Sequence, residues 1–553
     1  MKKFTLTSVL LFATIVSMNA QSPSYAWARK AGASNYERAN TIYVDAAGNS
    51  YITGEFRDTA YFGSIMLLGN SFVPANYSDV FVAKYDPSGN VLWAKSASAI
   101  VDDGGFAICA DNAGNVYVSG YFNKNSSNPT PMTFGTLPPI NAIGWDDIFL
   151  VKYDASGNEQ WAVIAGGGAN DYGYDLVADN IGGVYLTGSF EGSCNFGTQT
   201  LSSSGWGDIY VAKFDVTNGN NIWAVKAGGS GNDVSYGIEL DGGGNFYITG
   251  FFRNTATFGS IGTLTSGGLE DVFVAKLDAA GNFLWAKKGG STMTDAGRAV
   301  VVDGAGNVFI TGYIAGTSTF NTTTINNTSG SVDIFVAKYD ASGNLGWAIG
   351  DGGNGNDKAF GICRDNQGGL YVSGSFELIG VFGSNTISAQ GFSDVFTAKY
   401  DPANGTNIWA MPGGAEDEDV SHGIGIDASE NLYIAGYFRT QAFFGTQLTA
   451  NVYDEVFVVK ITNPLSVNDI EANNIYVTVY PNPSSSVINV NVSEEFFTNK
   501  SHYEITDVTG KLISTEKLSS ENSKIDFSLL PKGIYMLKIV TENGTAVKQI
   551  IKQ

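Results

Sequence analysis

Histidine is almost missing from this chain: there are 2 in 553 residues, His422 and His502. That scarcity excludes a histidine-based catalytic triad and a multi-histidine metal centre. Cysteine is nearly as rare, and Cys109, Cys194 and Cys363 fall in no metal-ligand spacing. Positive charge is short as well, with 31 Lys plus Arg against 53 Asp plus Glu and a net charge of −22. So acidic a surface does not suit nucleic acid. Beyond the first 20 residues no apolar run is long enough to span a membrane, so no transmembrane segment is expected. Only 15% of residues are charged, while 43% are hydrophobic and 69 are Gly. A chain of this make-up buries a large core through tight hairpins and is not a disordered coat.

What the chain does have is a period. Tryptophan returns at Trp27, Trp93, Trp161, Trp223, Trp285, Trp347 and Trp409, in steps of 66, 68, 62, 62, 62 and 62 residues. The unit is clearest over 241–286: a turn DGGGN, a strand FYITGFF, a spacer ending TFGS, a strand DVFVAKLD, a turn DAAGN and a strand FLWAKK. With the strand that precedes the first turn, this makes four strands and no helix. Seven first turns open at Asp45, Asp111, Asp179, Asp241, Asp303, Asp365 and Asp427, but only six second turns, at Asp86, Asp154, Asp215, Asp278, Asp340 and Asp401. A lone Trp strand begins the array (AWARKAG, 26–32), and the array ends on EVFVVKIT (455–462) with no Trp strand after it. An open solenoid would leave both ends unpaired, whereas a closed ring lets the first strand complete the last sheet. The fold expected is all-β, a seven-bladed β-propeller closed by its N-terminal strand and followed by a small immunoglobulin-like β-sandwich. In such a ring Cys109 and Cys363 occupy the same strand position of blades that are not neighbours, and Cys194 lies in a spacer, so no disulfide is expected.

The recurring DxxGNxYxTGxF and DxFVAKYDxxGNxxWA resemble the bacterial β-propeller repeat family of secreted and surface proteins over about 26–462. Departures are local: Gly183 and Gly369 replace the turn Asn, Glu430 the turn Gly, Asn321 the Gly of the FG pair, and Ala435 the Thr or Ser before Gly436. The family has no single activity, so the resemblance implies fold and not ligand. In DPSGN (86–90) Pro87 presets a type I turn, Gly89 takes the left-handed conformation, and Asp86 accepts a backbone N–H. A calcium loop of EF-hand type needs further carboxylates that are missing, so the turn reading leads. Gly54, Gly120, Gly188, Gly250, Gly312 and Gly374 sit inside strands. Something must approach closely there, and a ring from the adjacent blade is the expected occupant.

Four segments are expected. Residues 1–20 (MKKFTLTSVLLFATIVSMNA) have the two lysines, apolar run and terminal Ala of a secretory signal. Residues 25–462 form the propeller, 463–474 a polar linker, and 475–553 a domain of short alternating strands with 8 Lys against 8 Asp plus Glu, so the net negative charge belongs to the rest of the chain. The motifs YPNP (480–483), ITDVTGKL (505–512) and LPKGIYMLKI (530–539), before the basic end at Lys548 and Lys552, resemble the type A C-terminal sorting domain of the type IX secretion system. That resemblance implies recognition by the type IX machinery through Pro481, Asn482, Pro483, Gly510, Lys532, Gly533 and Tyr535. It also implies a Bacteroidota-type host and a secreted or cell-surface product from which signal and sorting domain are removed.

In a propeller the spacer and the crossover to the next blade emerge on one face, where loops vary. Insertions fall there, between Phe122 and Phe134 and between Phe62 and Asp79. Two positions before the third-strand acid the blades carry Tyr77, Trp145, Trp206, Leu269, Ser331, Phe392 and Tyr453. Tyr77, Trp145, Trp206, Phe392 and Tyr453 thus form an arc over five consecutive blades that could stack on sugar faces or grip a protein partner, the alternative being that each ring covers its own spacer. Asp171, Asp233, Asp295, Asp357 and Asp419, with Asp103 nearby, precede the innermost strands. They are expected at the channel mouth, where holding the crossover turn is the leading role and cation binding the second. His422 reads as a solvated crossover residue, and GGGAND-like strings read as crossover turns, since no helix follows to hold a phosphate. No catalytic residue, metal site or required cofactor is expected; calcium is the ion the acids would suit. The function expected is an exported, monomeric, non-catalytic binding module for a glycan or surface protein. A propeller-fold polysaccharide-degrading enzyme and a structural surface protein are the alternatives.

Overall fold

The second and third strands of each repeat are apolar on both faces, so each must lie between two layers. In the computed structural model Phe246–Phe252 is buried along its whole length and Asp271–Leu277 at all but Lys276. The structure describes residues 23–33, 35–69, 77–99, 101–123, 131–327, 330–451, 453–462, 477–480, 484–493, 497–498, 500–507, 512–541 and 544–552. The expected signal peptide, the linker, and Pro481, Asn482, Pro483 and Gly510 lie outside them, as does most of the insertion between Phe122 and Phe134. The chain divides into two compact units, of which the larger is Ser24–Thr462.

Among the described residues of the larger unit the pairing sorts the strands into seven antiparallel sets of four, several of them joined into larger sheets by spacer hairpins. In unit four the strands Val234–Leu240, Phe246–Phe252, Asp271–Leu277 and Phe283–Gly290 pair in that order. Unit seven is made of Asp419–Ile426, Leu432–Phe438 and Glu455–Thr462, and its fourth strand is Ser24–Ala31 from the other end of the array. Ser24 pairs with Thr462 and Ala31 with Val456, so the strand that opens the chain closes the last sheet.

The spacers, expected as loops, are largely short hairpins, and they interlock the units. The unit-four hairpin Thr255–Phe258 and Thr263–Thr265 pairs with the end of the fourth strand of unit three, Ala227 to Phe258. Equivalent bridges join each unit to the next, from Ser98 to Thr133 between units one and two through Gly414 to Phe443 between six and seven. Gly32 to Tyr61 carries the pattern from unit seven back to unit one. Backbone hydrogen bonds thus run across the closure as they do elsewhere in the ring.

Tryptophan and the second turn form one joint. Trp93 Nε1 donates to Ala155 O at 3.3 Å, Trp285 Nε1 to Ala341 O at 3.1 Å, and Trp27 Nε1, across the closure, to Pro87 O at 3.1 Å. Six of the seven rings, all but Trp409, lie on the turn glycine of the following unit: a Cβ on Gly343 would sit 2.8 Å from Trp285, and one on Gly89 3.0 Å from Trp27. Those glycines have φ of +79°, so the turn needs glycine for its backbone and again as a seat for the neighbour's ring.

The smaller unit packs a sheet of Val477–Tyr480, Val487–Val492 and Asn522–Asp526 and a sheet of Leu512–Lys517, His502–Asp507, Gly533–Thr541 and Gly544–Lys552 around a shared core. Ile488, Val490, Ile505, Leu537 and Ile539 are its buried centre.

Candidate functional site

The strand glycines have a different occupant from the one expected. A Cβ on Gly54, Gly120, Gly188, Gly250, Gly312 or Gly374 would sit 1.9–2.0 Å from a backbone carbonyl oxygen of the first strand, not against a ring from the next blade. Each glycine is opposite the start of a β-bulge: Gly297 pairs with Gly312 and then Ala299 with Thr311, leaving Arg298 as the extra residue. A bulge bends the strand and re-aims the side chain of its extra residue. Seven bulges supply seven such residues: Asn40, Phe106, Tyr174, Tyr236, Arg298, Phe360 and His422. All seven line one central cavity of about 520 Å³.

These side chains form a closed collar. Phe106 stacks on Tyr174 with centroids 5.5 Å apart, and Tyr174 meets Tyr236 at 5.0 Å. The Arg298 guanidinium lies 4.0 Å over the Tyr236 ring and 5.3 Å over Phe360, which meets His422 edge-on at 5.3 Å. His422 Nδ1 bonds Ala39 O at 3.1 Å, and Asn40 Nδ2 donates to Gly105 O at 3.0 Å, completing the circle. His422 is therefore a channel residue and not the solvated crossover residue expected. Burial holds its pKa down at about 4, so the ring is neutral at ordinary pH, and donation to a carbonyl from Nδ1 leaves Nε2 as an acceptor.

Asp175 and Glu239 line the same cavity. Asp175 accepts the Ile238 N–H at 2.8 Å and Glu239 the Leu240 N–H at 2.9 Å, and burial pushes both carboxyls up to about 7. The collar was missed at the sequence level although it leaves a mark. At 62-residue spacing in units three to seven, one large residue of changing type sits between small ones: GYD, SYG, GRA, AFG, SHG.

The repeated acids before the innermost strands do not open onto the channel. Asp171, Asp233, Asp295, Asp357 and Asp419 are fully buried. Asp233 shows the pattern: Oδ2 accepts the Gly229 N–H at 2.8 Å, Oδ1 accepts the Arg253 N–H at 2.9 Å, and its own N–H donates to Gly207 O at 2.8 Å. The carboxyl thereby ties the crossover to the end of the second strand, and the main-chain N–H of the same residue ties both to the third strand of the preceding unit. Each lies beside the buried third-strand acid of the preceding unit, as Asp171 beside Asp147 and Asp419 beside Asp394. Burial first, and the neighbouring acid with it, pushes Asp171 and Asp419 up to about 8 and Asp233 and Asp357 up to about 7. Among the described residues no group of three or more His, Cys, Asp or Glu side chains is placed to hold a metal ion.

The arc residues stand in the open. Tyr77, Trp145, Trp206, Phe392 and Tyr453 are between 41% and 79% exposed. Their backbones are tied to the crossovers: the Trp206 N–H donates to Gly231 O at 3.2 Å and that of Phe392 to Asp417 O at 3.1 Å. In the smaller unit Lys532 is exposed, and Tyr535 is buried with its hydroxyl donating to Pro531 O at 2.9 Å.

Residues 478–553 match the secretion system C-terminal sorting domain. The chain is 23% identical over 500 residues to an uncharacterized WD repeat-containing protein of Acanthamoeba polyphaga mimivirus, which takes in 75% of this chain. It is 26% identical over 373 residues, 60% of the chain, to the regulatory protein FlaEY of Caulobacter vibrioides. The chain spans about a third of the length of these curated relatives, 36% of each. Among solved structures it resembles the WD40 β-propeller domain of Doa1, at 8% identity and TM-score 0.38 over 79% of this chain and 98% of that one. It also resembles a quinohemoprotein alcohol dehydrogenase from Comamonas testosteroni, at 10% identity and TM-score 0.37 over 84% and 79%. The repeated four-strand pairing, the closure by Ser24–Ala31 and the matched tail define a β-propeller protein with a sorting domain. In particular, this is a secreted or cell-surface protein whose C-terminal domain engages the type IX secretion machinery.

Proposed function

We propose that the propeller is a non-catalytic binding module whose exposed aromatic arc takes a glycan outside the cell. The observation that carries this reading is the exposure of Tyr77, Trp145, Trp206, Phe392 and Tyr453 at one repeated position over five consecutive units. Nearly all the other aromatic positions that the repeat reuses are buried, as at Tyr51, Tyr117 and Tyr247 or Phe81, Phe149 and Phe273. Large rings left in water at one repeated position suit recognition, and flat rings with polar edges suit the apolar faces of sugars.

The test is binding of the full exported protein to a panel of polysaccharides, beside a Trp145→Ala/Trp206→Ala variant. The expected result is a glycan retained by the parent and lost by a variant that melts at the same temperature. Equal retention by both removes the arc from the function, and shortening of a bound polysaccharide replaces the binding module with an enzyme.

A further inference from the structure

We propose that the central cavity is a second, separate binding site, selective for a sugar ring bearing a carboxylate, with Arg298 as the group that recognises the acid. Arg298 is the one collar residue that carries a fixed charge. Its guanidinium faces are covered by Tyr236 and Phe360, at 4.0 and 5.3 Å, which leaves the N–H edge as its free valence. Among the described residues it makes no ion pair and no hydrogen bond. A half-buried cation stacked between rings, held rigid and lacking an anion, is set up for a planar, two-oxygen partner.

The rest of the cavity says what should carry that carboxylate. Purely apolar walls would take any aromatic acid. Here the walls combine rings with acceptors: the neutral His422 with its Nε2 and the carboxyls of Asp175 and Glu239. Such acceptors ask for several hydroxyl donors, and the rings Phe106, Tyr174 and Tyr236, packed on one another, line the wall with apolar carbon against which C–H groups can lie. A ring with hydroxyls and one carboxylate supplies both. About 520 Å³ is room for one or two sugar rings and falls in the usual range of small-ligand sites. Bare carboxylate alone would forgo the hydroxyl contacts, and a neutral sugar would leave Arg298 unpaired.

The experiment is calorimetric titration of the full exported protein with galacturonate and digalacturonate, with galactose and acetate as controls, repeated for Arg298→Gln and Arg298→Lys. Expected are saturable binding of the uronates, no binding of galactose or acetate, and a loss of about tenfold or more in Arg298→Gln with partial recovery in Arg298→Lys. Binding of galactose as tight as that of galacturonate, or an unchanged affinity in a folded Arg298→Gln, overturns the assignment, as does no uronate binding by the parent. The Trp145→Ala/Trp206→Ala variant is expected to bind galacturonate as the parent does. Loss there instead places uronate on the arc and overturns the cavity site, so the two sites fail or stand separately.

Discussion

At the scale of single residues, the repeat's glycines divide into kinds that the sequence writes alike. Gly343 has φ +79°, and a Cβ there would fall 2.8 Å from Trp285 and 2.9 Å from Lys287. Gly304 in the first turn of unit five has nothing within 4 Å of such a Cβ and no positive φ. Gly343→Ala is therefore expected to cost about 2–4 kcal/mol, from left-handed strain together with overpacking against the indole. Gly304→Ala is expected to stay within about 0.5 kcal/mol. Urea unfolding followed by tryptophan fluorescence reads both, and equal effects would remove the Trp seat as the reason for the second-turn glycine. The tryptophan and the glycine were each visible in the sequence. Their contact was not, because the two lie about 60 residues apart and the link exists only once neighbouring units stack.

At the scale of the element, the bulge converts a stability motif into a recognition device. Gly312 stands where a Cβ would be 2.0 Å from Ala296 O, so the first strand can approach and bulge only if that position lacks a side chain. Gly312→Ala is expected to flatten or displace this bulge, draw Arg298 out of the collar and abolish uronate binding, with a lower melting temperature. Arg298→Gln should lose the binding and keep the melting temperature. Should Gly312→Ala bind as the parent does, the bulge does not aim Arg298. Four strands per unit and both turns were legible because period-two alternation and DxxGN spell them out. The bulge was not, since a one-residue register shift leaves the hydrophobic pattern on either side intact. The collar positions Asn40, Phe106, Tyr174, Tyr236, Arg298, Phe360 and His422 change residue type from unit to unit and so write no repeated letter, whereas Asp171, Asp233, Asp295, Asp357 and Asp419 repeat one letter at positions the fold buries.

At the scale of the whole molecule, closure was readable from one unpaired Trp strand at the start and one missing at the end, and Ser24–Ala31 fills that place. The electrostatic character of the ring was not, because net charge does not say which acids are buried together. Seven joints each hold two acids side by side, from Glu37 with Glu455 and Asp103 with Asp79 to Asp419 with Asp394. Oδ1 of Asp147 and Oδ2 of Asp171 have no hydrogen-bond partner among the described residues, nor have Oδ1 of Asp208 and Oδ2 of Asp357. Two buried carboxylates that each raise the other's pKa cannot both ionise cheaply, and a proton retained by the pair would answer the unpaired oxygens. The consequence for stability has a definite sign. Unfolded, these groups titrate near pH 4; folded, Asp171, Asp419 and Glu37 are pushed up to about 8 and Asp233 and Asp357 to about 7. Between pH 4 and 8 the folded ring therefore holds protons that the unfolded chain has released, and its stability falls as pH rises through that window. The melting temperature of the exported protein is expected to drop steadily from pH 5 to pH 8. Asp171→Asn, which replaces one titrating group by an amide that can donate to Asp147, is expected to make that slope shallower. A calcium arm separates a proton from a cation at the joints: proton-bridged pairs leave the pH 8 melting temperature unmoved by calcium or EDTA, whereas a calcium-dependent rise at pH 8 would assign the joints to the metal. A melting temperature that is flat or rising from pH 5 to 8 in EDTA would mean that the joints carry no shared protons.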